Sequence, residues 1–344
     1  MAASRRAPTS AAPALVGNRA FGRMLAGGGA APGPAGVVHP ALREWLAHRP
    51  DQASVPAVQR QKAKGPVEAL QKRYGIIVEA GDKSWSPNDL KDLDWALGKL
   101  QKPELEVIRG YRFLRWTTPE QRKEKDPTYT EPPSGECGLH EADIPTGTFK
   151  ISMYDACFYD ITKIIGDKIV AKTAEDPPSG GALELLHEVG HAMAVREQRV
   201  LYQRYSDALK AENDHAAKFS GVTMPLGQLE KVKARQEALG RATEAAKQRW
   251  QDSVGRAERV LAKLRARPTK AGKPKPEISE YSKTSDAEMF AEAYKLFRSE
   301  PALLQKLDPE VAQWFGKLAF LDTEAKAREL AKEEEAAAGK EQPQ

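Results

Sequence analysis

The stretch Leu183-Glu184-Leu185-Leu186-His187-Glu188-Val189-Gly190-His191-Ala192-Met193 constrains this chain more than any other. His187 and His191 stand four positions apart, so on a helix they share one face about one 5.4 Å turn apart. Two imidazoles placed that way can grip one metal ion. Glu188 projects beside them, where a carboxylate can take a proton from a metal-bound water, as in the H-E-x-x-H metallohydrolases. The apolar residues Leu183, Leu185, Leu186, Val189, Ala192 and Met193 favour a helix whose only breaker is Gly190, and Pro177-Pro178-Ser179-Gly180-Gly181 mark its start. The spacing predicts a mostly buried helix with one polar face.

Two ligands leave a zinc site short, because a catalytic site has three protein ligands and one open position. Within the metzincin pattern a glycine and a third histidine would follow, but those positions hold Ala194 and Glu197. His140 and His215 lie in loop-like or exposed contexts and read as incidental. The better source is Tyr281-Ser282-Lys283-Thr284-Ser285-Asp286-Ala287-Glu288-Met289-Phe290-Ala291-Glu292-Ala293-Tyr294. Ser285 can cap a helix there, with Met289, Phe290 and Ala293 on one face and Glu288 and Glu292 on another. Two carboxylates one turn apart need compensation, which a zinc ion and a ligand histidine would supply.

That stretch, together with Val189-Gly190-His191-Ala192, resembles the zinc-binding end of the anthrax lethal factor catalytic domain, of the gluzincin type of zinc metalloprotease. The likeness covers roughly residues 180–300 with a gap. Asp286 and Met289 depart from the pattern, and the interval between His191 and Glu288 is far longer than the family requires. The resemblance implies zinc held by His187, His191 and Glu288, with Glu292 in the place of the acid behind the ligands. It further implies Glu188 as general base and Tyr281 as the tyrosine that steadies the oxyanion. The fold it implies is α+β: a zincin-like metalloprotease core whose edge strand, beside the metal helix, takes an extended peptide.

The rest of the chain reads as additions to such a core. Residues 1–65 are rich in Ala, Pro and Gly and bury too little apolar surface to order themselves, so a disordered leader is expected. Within it, Leu15 to Leu25 could form a short amphipathic helix. That Gly-Asn-Arg-Ala and apolar-Arg-apolar-Leu run, with the later Val58-Gln59-Arg60, resembles the leaders of cargo proteins of extracellular contractile injection systems. An ordinary flexible extension is the other reading.

Residues 66–200 hold a strand-bearing subdomain and the histidine helix. Helices are expected at Val67–Tyr74 and from a Ser86 cap through Leu100, and strands at Gly75–Glu79, Glu106–Trp116 and Thr148–Tyr154. Lys123 to Gly138 reads as a Pro-rich loop, and Asp160 to Val170 gives mixed strand or helix signal. Residues 201–276 read as an inserted helical hairpin, its second helix carrying apolar positions from Leu229 to Leu264. Residues 277–330 form a C-terminal helical subdomain with the third ligand, and 331–344 a charged tail.

Composition narrows the function. The 53 basic and 48 acidic residues are intermixed for a net charge of only +5, which gives no case for nucleic acid. No apolar run approaches the roughly 18 residues of a membrane span. Cys137 and Cys157 are too few for a disulfide scaffold. No apolar stretch near Arg5 and Arg6 suits a secretory signal, so synthesis in a bacterial cytoplasm is expected. The leading expectation is a zinc endopeptidase toxin or effector, loaded through residues 1–60 into an injection particle and cleaving proteins of a target cell. The alternatives are a regulatory metallopeptidase that is not exported, and a catalytically silent adaptor whose hairpin binds a partner.

Overall fold

The computed structural model describes residues 65–126, 129, 138–158, 179–269 and 272–338, an α+β arrangement that is mostly helical with one small mixed sheet. The chain first forms α1 (Pro66–Tyr74), β1 (Ile77–Ala80), α2 (Pro87–Gly98), α3 (Lys102–Ile108), β2 (Arg112–Arg115) and α4 (Pro119–Lys125). Strands β3 (Gly138–Asp143) and β4 (Thr148–Met153) follow. Then come α5 (Gly180–Ala194), α6 (Arg196–Phe219), α7 (Leu226–Ser253) and α8 (Arg256–Ala266). The chain closes with α9 (Asp286–Ser299), α10 (Pro301–Leu307), α11 (Pro309–Gly316) and α12 (Glu324–Ala338). The leader with its 15–25 segment, Cys137 and the 160–170 stretch lie outside the described residues.

Local chemistry explains most of the boundaries. Ser86 Oγ accepts the Asp89 amide at 3.2 Å while the Asp89 carboxylate accepts the Ser86 amide at 3.1 Å, and Pro87 begins α2. Gly75, in the left-handed region at φ 70°, ends α1 and turns the chain into β1. The strands run in the order β1-β2-β4-β3, parallel for β1 with β2 and β2 with β4, antiparallel for β3 with β4. Phe113, Ile151 and Met153 are fully buried on one sheet face. Helix α5 packs on α2, α9, β3 and β4, so the predicted buried helix lies at the centre of the core.

Three expectations are corrected. Residues 106–116 are not one strand: Lys102–Ile108 is helical because Pro103 opens it and the Glu104 carboxylate accepts the Gln101 amide at 2.7 Å. Only Arg112–Arg115 is extended. The Pro-rich loop gives up its ends, since α4 runs to Lys125 and β3 begins at Gly138. The helix expected from Leu229 to Leu264 breaks at Gly255, which sits at φ 63°. Beyond that break α8 leaves the hairpin and buries Ala257, Val260, Leu261 and Leu264 in the core. At the other end, 331–338 continue α12, and 339–344 lie outside the described residues.

Buried ion pairs tie the C-terminal helices down. Glu104 is fully buried; it accepts from Tyr294 at 2.8 Å and Arg298 Nε at 2.9 Å, joining α3 to α9. Asp308, also fully buried, caps α11 and pairs with Arg265 at 3.1 Å and Lys275 at 3.0 Å. No described helix is long and apolar enough to cross a membrane.

Candidate metal centre

Ser179 caps α5 by accepting the Ala182 amide at 3.2 Å, and Ser285 caps α9 by accepting the Glu288 amide at 3.2 Å. These two caps set the phase of the helices that carry the site. Between them Gly190 permits a close approach: a Cβ there would stand 2.9 Å from Ala291 Cα and 3.2 Å from its carbonyl oxygen. The apparent breaker is therefore where the two backbones meet. With α5 and α9 that close, His187 and His191 face Glu288 and Glu292.

The donor atoms converge on a point. His187 Nε2 lies 3.1 Å from Glu288 Oε2, His191 Nε2 lies 3.3 Å from the same oxygen, and the two Nε2 atoms are 3.2 Å apart. Zinc bonds of about 2.0–2.1 Å at tetrahedral angles separate their ligands by about 3.3 Å. Without a cation, two imidazole lone pairs and a carboxylate would share that triangle with protons alone. The residues present fit a zinc ion, which His187, His191 and Glu288 would hold. His187, His191 and Glu288 form one of two such groups among the described residues; the other, Glu184, His187 and Glu188, shares His187.

Glu292 lies behind the triangle. Its Oε1 is 2.8 Å from His187 Nδ1, and Lys295 also reaches it. A proton on Nδ1 leaves the Nε2 lone pair aimed at the metal point, the usual support of a ligand histidine. In the metal-free chain, burial disfavours charge on His187, but hydrogen bonds to Glu288 and Glu292 outweigh it and raise the imidazole well above its ordinary value. Burial likewise opposes ionisation of both acids. The bonds from His187 and His191 nevertheless hold Glu288 well below the usual carboxylate range, and His187 with Lys295 draws Glu292 down to about 2. The site is built for positive charge.

The other expected residues are nearby. Glu188 is buried beside the start of β3, where a Cβ on Gly138 would meet its Oε1 at 2.6 Å. Tyr281, in a single turn before α9, is 40% exposed, and its ring centre lies 5.7 Å from that of His187. Glu197 is not a ligand: it pairs with Arg256 at 2.7 Å and accepts from Thr323. His215 lies on α6 and meets Gln236 of α7 at 2.9 Å, away from the site.

His140 requires a correction. It is buried on β3, not in a loop, and its ring stacks 6.4 Å from His191 at 15°. Tyr111 stacks on it at 5.8 Å, Phe149 on Tyr111 at 5.2 Å, and the Arg199 guanidinium covers Phe149 at 3.8 Å. This column packs against the side of the His191 ring. Burial, followed by the charges of His191 and Arg199, pushes His140 well below its ordinary value and keeps it neutral. The residues around it, Leu139, Glu141 and Ala142, do not alternate apolar with polar, and it is pairing with β4 that makes Gly138–Asp143 a strand.

No family model, curated protein or solved structure matches this chain. The functional reading therefore rests on the geometry and chemistry of the site.

Proposed function

We propose that this chain is a zinc-dependent endopeptidase with a zincin-like core. One observation carries the reading: three ligand-type atoms from two helices, 3.1–3.3 Å apart, with the Glu188 carboxylate on the same helix as both histidines. When bound, zinc would lower the pKa of a water from 15.7 to about 7 and polarise a carbonyl. Glu188 takes the proton of the attacking water as its oxygen bonds the peptide carbon. It returns that proton to the nitrogen as the carbon–nitrogen bond breaks. Tyr281, open to solvent at the site's rim, donates its hydroxyl hydrogen to the carbonyl oxygen as charge builds there.

Among the described residues β3 pairs only with β4, so its outer edge can take an extended peptide as a further strand beside α5. The likeness of the leader to injection-system cargo supports an exported toxin or effector. Its target would be a protein of another cell.

The test uses the full chain. About one zinc per chain is expected, lost in His187→Ala. Glu188→Gln is expected to keep the zinc and lose about 10²- to 10⁴-fold in peptide cleavage. New N-termini mapped in a lysate treated with each protein would identify the substrate. Zinc bound at one equivalent with equal cleavage patterns for both proteins would reduce the ion to a structural role and leave an adaptor. Loss of the first 60 residues is expected to spare cleavage and abolish particle loading.

A further inference from the structure

Helices α6 and α7 form a hairpin whose far end differs from its stem. Along the stem, charges are paired within each helix: Lys210 with Asp214 at 3.2 Å, Arg241 with Glu237 at 4.0 Å, Lys247 with Glu244 at 3.8 Å. From His215 to Arg235 the sequence holds four cations, Lys218, Lys231, Lys233 and Arg235, against one acid, Glu230. All four cations are exposed, and none makes an ion pair among the described residues. At the turn they flank, Val222 is 51% exposed and Leu226 72%, the two most exposed large hydrophobic residues described. A hairpin whose only task was to pack would place polar residues there.

We infer that this tip docks on an anionic lipid surface, Val222 and Leu226 entering the headgroup boundary while the four cations meet lipid phosphates and carboxylates. A convex turn with a few apolar side chains cannot supply the roughly 800 Å² per partner of a stable protein interface. A bilayer needs no complementary groove, and a cationic collar around apolar residues suits its charge. Other occupants within the chain fit worse. The first 64 residues carry nine basic and two acidic residues, so they repel the collar. Tip-to-tip contact with a second copy would oppose like charges.

The experiment is co-sedimentation of the full chain with phosphatidylcholine vesicles made with and without phosphatidylserine. Binding is expected only with phosphatidylserine, weakening as salt rises. Reversing two charges in Lys231→Glu/Lys233→Glu should weaken it by about 10-fold or more. Val222→Asp/Leu226→Asp should do the same at unchanged zinc content, helicity and cleavage, because the tip lies apart from the metal centre. No binding, equal binding to both vesicle types, or binding untouched in both double variants overturns the inference. So does a concentration-dependent dimer that the apolar substitutions abolish.

Discussion

Helices α5 and α9 pack together, and so do α6 and α7, but the two pairs are held by different physics. At the first contact Gly190 brings the backbones to near contact, and Val189, Ala192, Phe290, Ala293 and Tyr294 leave no room for sliding. The charged and polar groups enclosed there compensate one another. In the second pair only Glu197, Gln198, Leu201 and Ser206 of α6 and Thr243 and Ser253 of α7 are buried. An aromatic group of Tyr202, Tyr205 and Trp250 joins that pair, and exposed ion pairs decorate the rest. Close approach fixes His187, His191 and Glu288 relative to one another. A solvated hairpin fixes only length and direction, which is why the site belongs to the first pair.

Substitutions can test this contrast. The largest loss is expected where charge is enclosed: Glu104→Gln leaves Arg298 buried without its partner and should cost about 3–5 kcal/mol in urea denaturation. Its hairpin counterpart, Asp214→Ala, should cost no more than about 0.5 kcal/mol. Next come two identical changes of opposite sign. Gly190→Ala forces α5 and α9 apart and should destabilise by about 1–3 kcal/mol. Gly240→Ala in α7 meets only the end of the Glu212 side chain, at 3.4 Å, and should stabilise by about 0.5–1 kcal/mol through helix propensity. Equal effects from the two glycines would erase the distinction drawn here.

A third effect concerns the ion. Glu292→Gln should weaken zinc binding about 10- to 100-fold in a competition titration, with the fold retained. Unchanged affinity would remove Glu292 from the support of His187. A further effect is in pH. Because His140 is held below its ordinary value of 6.5, the unfolded chain takes up a proton below that pH that the folded chain refuses. Stability therefore falls as pH falls, by up to about 1.4 kcal/mol per unit for this group. His140→Phe keeps a stacking ring and lacks that loss. Between pH 7 and about 5.5 it should gain about 1 kcal/mol on the wild type; a constant difference would show that the imidazole is not held neutral.

Elements with signals inside a few residues were legible in the sequence. Ser86-Pro87-Asn88-Asp89 wrote its own cap, and the meeting of His187 and His191 with Glu288 and Glu292 was expected from helical spacing and a family likeness. What escaped depended on distant partners. The exception is the helix over 102–108, whose local cap of Gln101, Pro103 and Glu104 was hidden by its apolar Leu105, Val107 and Ile108, which are suited to a strand. His140 looked incidental because a strand of Gly, Leu, His, Glu, Ala and Asp has little apolar periodicity; only pairing with β4 makes it one. Gly190 read as a weakness until Ala291 was placed against it.

Helix α6 begins one residue after the cap that ends the histidine helix, and it runs for 24 residues. At about 1.5 Å per residue this is a strut of about 36 Å. A chain docked by the tip of that strut, as proposed above, would hold its metal centre within a fixed height of the surface. A peptidase so placed would reach polypeptide segments that rise into that zone and spare those lying flat beneath it.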